Sequence, residues 1–116
     1  VALFANTTAD NNTAIGYGTL LSNTTGTQNT ALGANALDAN VTGAQNVALG
    51  LEALGANTTG GYNTAVGNAA LANTTTGTEN CAFGYNALYA STASNLNAFG
   101  NEALENNTTH KHKSST

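Results

Sequence analysis

The sequence predicts an all-β fold, a parallel β-solenoid of about six and a half 17-residue coils, and three columns of recurring residues carry that prediction. Asn12, Asn29, Asn46, Asn63 and Asn80 follow one another in steps of 17 residues. Gly16, Gly33, Gly50, Gly67 and Gly84 keep the same step, with Gly100 following after 16. Leu3, Leu20, Leu37, Leu54, Leu71 and Leu88 do likewise, with Leu104 again 16 further on. The unit is Asn-Thr-Ala-Φ-Gly-x-x-Ala-Leu-x-x-Asn-Thr-Thr-Gly-x-x, where Φ is bulky and apolar.

Each part of the unit has a local reason. In Thr13-Ala14-Ile15, period two puts Thr13 and Ile15 on one face and Ala14 on the other. Gly16 ends that strand, Thr19-Leu20 opens a second short one, and Asn23-Thr24-Thr25-Gly26 is turn chemistry. Seventeen residues are too few for two packed helices, and Gly, Asn and Thr are poor helix formers. Two short strands and two turns make one coil. Stacked at about 4.8 Å, the coils place like residues above like.

The bulky column (Ile15, Leu32, Leu49, Val66, Phe83, Phe99) and the Leu column (Leu20, Leu37, Leu54, Leu71, Leu88, Leu104) are expected to form the core. Two large apolar side chains per coil make it thin, so a lone chain needs neighbours or Asn and Thr ladders. Ala14, Ala31, Ala48, Ala65, Ala82 and Ala98 form a column of Ala alone, so something approaches closely on that face. Either a second copy of the chain sits there, or the face packs the two layers of one narrow coil.

Composition restricts function. Asn, Thr, Ala and Gly supply 19, 20, 22 and 13 of the 116 residues, while charged residues make up 7%, against about 25% in an ordinary domain. The only Lys are Lys111 and Lys113 and Arg is absent, so phosphate-driven nucleic-acid binding is excluded. No apolar run reaches the roughly 20 residues that span a bilayer, so membrane insertion is not expected. One cysteine, Cys81, excludes an internal disulfide. A chain opening on Val1 without Met or a signal-peptide pattern reads as part of something longer.

The repeats Asn29-Thr30-Ala31-Leu32-Gly33-Ala34-Asn35-Ala36-Leu37 and Asn63-Thr64-Ala65-Val66-Gly67-Asn68-Ala69-Ala70-Leu71 resemble those of tail-fibre and attachment proteins of phages and large algal viruses. More distantly, Ala-Φ-Gly-x-x-Ala is similar to the head repeats of trimeric autotransporter adhesins. That resemblance covers residues 1–109 and implies a left-handed β-roll assembled as a homotrimer or a filament. It also implies an extracellular, cell-surface or virion-surface location. Residues 110–116 are left as a polar tail.

Other side chains are weighed against plainer roles. Asn6, Asn23, Asn40 and Asn57 form a second column, with Asn73 one step early. With Asn11, Asn106 and Asn107 they begin eight glycosylation sequons. They are either glycan acceptors or turn residues forming an amide ladder. Threonine pairs such as Thr24-Thr25, Thr58-Thr59 and Thr74-Thr75 raise ice binding as a rival function. Tyr17, Tyr62, Tyr85 and Tyr89 are contact aromatics or turn packing. Cys81 reads as a small filler, and His110 and His112 as a solvated tail instead of a metal grip. Asp10, Asp38, Glu52, Glu79, Glu102 and Glu105 fall in scattered phases and do not converge on an acid–base pair.

The expectation is therefore a self-assembling extracellular fibre segment, not an enzyme and needing no cofactor. It presents a repetitive surface to a cell-surface glycan or other receptor. The alternatives are an ice-binding solenoid and a glycan-coated structural filament.

Overall fold

The computed structural model describes residues 1–108 and the backbone of Ser114–Ser115. It is an all-β solenoid measuring 37 × 21 × 17 Å along its principal axes. Six three-residue strands stack in chain order into one parallel sheet: β1 (Thr13–Ile15), β2 (Thr30–Leu32), β3 (Val47–Leu49), β4 (Thr64–Val66), β5 (Cys81–Phe83) and β6 (Asn97–Phe99). The register is the repeat itself: Ala14 pairs with Ala31, Ala31 with Ala48, Ala48 with Ala65, and Ala82 with Ala98. The backbone of Ser114–Ser115 (β7) continues the sheet beside β6, within the stretch expected to be a tail. The rest of that tail, with His110 and His112, lies outside the described residues.

From β1 to β6 the chain makes about five turns, fewer than the six and a half copies counted in the sequence. The first copy reaches Asn12 without a strand of its own, and its Leu3 and Ala5 amides bond to the carbonyls of Thr19 and Leu21 at 3.0 and 3.1 Å. The fifth turn is one residue short. Thr74 reaches Ser91 across 17 residues and Thr78 reaches Ser94 across 16, so the lost residue falls between Ser91 and Ser94.

Each coil contains one strand where two were expected. Leu20, Leu37, Leu54, Leu71 and Leu88 have φ between 50° and 54°, a left-handed turn conformation instead of a second strand. A left-handed non-glycine residue is unfavourable and persists only where its surroundings hold it. These five leucines are fully buried, so burial supplies the restraint. The Gly16 column is needed for two reasons. Gly33 has φ +130°, and a Cβ there would stand 2.6 Å from the Gly50 carbonyl oxygen of the next coil.

The core corrects the expected assignment of columns. Ala31, Ala48, Ala65, Ala82 and Ala98 are completely buried and pack with the Leu column and with Ala36, Ala53, Ala70 and Ala87. The bulky column faces the other way. Ile15 is 59% exposed, Leu32 48% and Phe99 42%, while Leu49, Val66 and Phe83 are half-buried. The coil is narrow, and the leucines of the turns already fill it from the opposite wall. The strand can add only a methyl group per coil. The Ala column is thus intramolecular, and the bulky column coats the outside of the sheet.

Candidate functional site

The outer face of the sheet is the first candidate surface. Period two directs the residues on either side of each inward Ala to solvent. One outward column is Ile15, Leu32, Leu49, Val66, Phe83 and Phe99; the other is Thr13, Thr30, Val47, Thr64, Cys81 and Asn97. Neither column contains a charge. Phe83 and Phe99 stack on successive coils, centroids 5.0 Å apart and planes within 6°. Cys81 is half-buried there as a free thiol, and desolvation raises its pKa above the ordinary cysteine value.

The Asn columns lie inside the coil, as two amide ladders. In one, Asn23 Nδ2 donates to Asn6 Oδ1 at 3.0 Å, and Asn40 Nδ2 to Asn23 Oδ1 at 2.8 Å. Asn57 Nδ2 then donates to Asn40 Oδ1 at 2.8 Å. In the other, the backbone N–H groups of Asn29, Asn46, Asn63 and Asn80 each donate to the side-chain Oδ1 of the Asn one coil before, at 2.9–3.0 Å. The ladders meet at glycine carbonyls: Gly43 O accepts from Asn29 Nδ2 at 2.8 Å and from Asn40 Nδ2 at 2.9 Å.

This placement sorts the sequons. Asn23, Asn40 and Asn57 are fully buried and their side-chain amides are held in hydrogen bonds to the Gly26, Gly43 and Gly60 carbonyls. Asn6 is half-buried at the end of the ladder, bonded to Ala9 O at 3.0 Å, and Asn107 is half-buried. Asn11, Asn73 and Asn106 are exposed. Asn73 is exposed because it arrives one residue early, leaving Thr74 in the ladder position.

The threonines also divide. Thr74 is buried and bonded to Ser91 O, whereas Thr8, Thr25, Thr42, Thr59 and Thr76 form an exposed column at 17-residue steps. The pairs named in the sequence mix these positions, because Thr74-Thr75 is one step out of register with Thr24-Thr25 and Thr58-Thr59.

A third surface lies on the flank after each strand. The column Phe4, Leu21, Asp38, Gly55, Ala72, Tyr89 and Glu105 runs beside the column Val1, Gly18, Asn35, Glu52, Ala69, Asn86 and Glu102. A depression of about 190 Å³ there is lined by Asn35, Asp38, Glu52, Gly55, Ala72, Asn73 and Tyr89. A more apolar one, about 530 Å³, adjoins it at Asn35 and is walled by Val1, Phe4, Tyr17, Gly18 and Leu21. The carboxylates are therefore not all scattered: Asp38 and Glu52 line one hollow. Burial, then the Glu52 charge, raises the Asp38 pKa above the usual carboxylate value, against backbone hydrogen bonds that lower it. Sequence reasoning missed this because the two residues occupy different columns. The available signal was that those columns are three residues apart on one turn.

Tyr17 and Tyr85 share a column as expected and are 77% and 49% exposed. Among the described residues no helix is long and apolar enough to cross a membrane. In comparisons with known proteins, no family model, no curated protein and no solved structure matches this chain.

Proposed function

We propose that this chain is a structural and adhesive segment of an extracellular fibre, at the cell or virion surface. It associates with copies of itself, as a homotrimer or filament, and presents its repeated flanks for attachment to cells or polysaccharide. The role is mechanical and recognitive, not enzymatic. One observation carries the reading: the outer sheet face offers two uncharged columns, one of them entirely bulky and apolar.

Exposed apolar patches of this continuity mark contact surfaces on soluble proteins. The occupant that fits is another copy of the same face, since its rungs share the spacing of about 4.8 Å and no charge opposes apposition. The resemblance to fibre and adhesin repeats agrees with side-by-side assembly. It is the bulky column, not the Ala column, that meets the neighbour.

Sedimentation or light scattering tests this. The chain is expected to have a mass that is a multiple of 11.5 kDa, and Leu49→Arg to reduce it to one chain with the fold retained. A wild-type chain that stays monomeric at high concentration contradicts the proposal.

Ice binding has one observation in its favour, the exposed column Thr8, Thr25, Thr42, Thr59 and Thr76. Thermal hysteresis abolished by Thr42→Lys supports that reading, and its absence in the wild type removes it. The glycan-coated filament loses its regular support, because three of the column sequons are buried.

A further inference from the structure

We propose that the flank carrying Asp38, Glu52 and Tyr89 is a groove for an amino-sugar oligosaccharide, with one unit's ammonium between the two carboxylates and a neighbouring unit's ring against the tyrosine. The inference rests on the attachment reading and names the ligand class that the reading leaves open.

The hollow is there because Gly55 has no side chain. Its backbone does not demand glycine: unlike Gly50 or Gly67, it does not occupy the left-handed region. The same column elsewhere carries Phe4, Leu21, Asp38, Ala72 and Tyr89, so the fold accepts large side chains at this position. Gly55 and, one coil on, Ala72 leave a low floor between Asp38 and Tyr89, which stand three coils apart in the same column.

The lining suits a sugar. Tyr89 is 37% exposed and lines the hollow, and an aromatic ring is the usual platform for the apolar side of a pyranose and for a cation. Asn35 and Asn73 add amides that both donate to and accept from hydroxyls. Asp38 and Glu52 accept only when ionised, which selects donors and above all an ammonium.

Charge favours the same ligand class. No Lys, Arg or His precedes residue 110, so no basic side chain in the repeats neutralises the pair. Glu102 and Glu105 fall in the same two columns after two uncharged coils, so the flank carries further negative charge and no positive charge along the described repeats. Uronic and sialic acids are repelled by this field, whereas a glucosamine unit is attracted. The adjoining apolar hollow, with Phe4 and Tyr17 on its wall, lengthens the groove to several coils and suits an extended oligosaccharide.

Calorimetry with a β-linked glucosamine hexamer tests this on the assembled protein, with the N-acetylated hexamer and spermidine as parallel arms. The glucosamine hexamer is expected to bind more tightly than either. Gly55→Leu, which fills the hollow, and Tyr89→Ala are each expected to weaken it on the order of tenfold. Asp38→Asn with Glu52→Gln is expected to erase the preference over the acetylated hexamer. No binding by the wild type overturns the inference. So does equal binding of spermidine that Tyr89→Ala leaves unchanged, since that describes an acidic surface without a sugar site. Sedimentation of the same samples separates the two readings. An assembled protein that binds no sugar sinks only the groove, and a failure to assemble sinks the fibre reading.

Discussion

Asn57 Nδ2 donates to Asn40 Oδ1 at 2.8 Å, while Asn57 Oδ1 is the one buried side-chain oxygen or nitrogen among the described residues that has no partner. The ladder stops there because the next rung holds Thr74, whose hydroxyl donates to Ser91 O at 2.8 Å instead. A buried unsatisfied acceptor costs about 1–3 kcal/mol. Thr74→Asn places an amide in line with Asn57 Oδ1 and the Gly77 carbonyl, with the Ser91 hydroxyl available to its own oxygen. Chemical denaturation is expected to show a gain of about 1 kcal/mol. A loss of stability contradicts the explanation of the break.

The ladder's interior is the converse case. Asn40→Ala removes the donor to Asn23 Oδ1 and to Gly43 O and the acceptor of Asn57 Nδ2. With three buried groups affected, the expected destabilisation is at least about 2 kcal/mol. A change within a few tenths, measured by urea midpoint, would mean that water replaces the amide freely.

Adjacent positions on β3 have opposite roles. Ala48 is fully buried and Leu49 faces outward. Ala48→Leu overfills the narrow coil and should cost about 1–3 kcal/mol of folding stability in a chain that still associates once folded. Leu49→Arg should leave the thermal midpoint of the monomer nearly unchanged and abolish association. If Ala48→Leu dissociates a fully stable chain instead, the two columns have been exchanged.

Asp38 gives a pH dependence of definite sign. Its folded pKa is raised by burial and by Glu52, so the folded state favours the protonated acid. Its contribution is fully present below the unfolded carboxylate pKa and is lost as pH rises through the raised folded value. Asp38→Asn is therefore expected to stabilise the protein at neutral pH and to have no effect well below the carboxylate range. Urea midpoints measured across that range check the sign, and equal effects at both ends contradict it.

Glycosylation separates buried from exposed sequons. In folded protein secreted from a glycosylating host, mass spectrometry is expected to find sugar at Asn11, Asn73 or Asn106 and none at Asn23, Asn40 or Asn57. A folded chain carrying a glycan on Asn40 contradicts the buried ladder.

The parallel sheet was legible because Asn12, Gly16 and Leu20 recur with the coil, and stacking makes recurrence and register the same fact. Which side of Thr13-Ala14-Ile15 faces inward was not. The hydrophobic pattern favours burying Ile15, yet Leu20 approaches from the opposite wall and leaves room only for Ala14. The second strand failed for a related reason, because nothing local marks a leucine at φ 50° and only the packing of the coil holds it. The amide ladder was open from Asn23 and Asn40 alone. The Asp38–Glu52 hollow was not, since it arises between columns and depends on the missing side chain of Gly55.

Cys81 permits the most direct test of association through the sheet face, because it is the protein's only cysteine and lies in the outward column beside Phe83. Its alkylation rate is measured at high protein concentration in the wild type and in Leu49→Arg. Sheet-face association predicts a thiol strongly protected in the wild type and reactive in the dissociated variant. Equal rates in a wild-type assembly and in the variant would place the interface elsewhere on the solenoid.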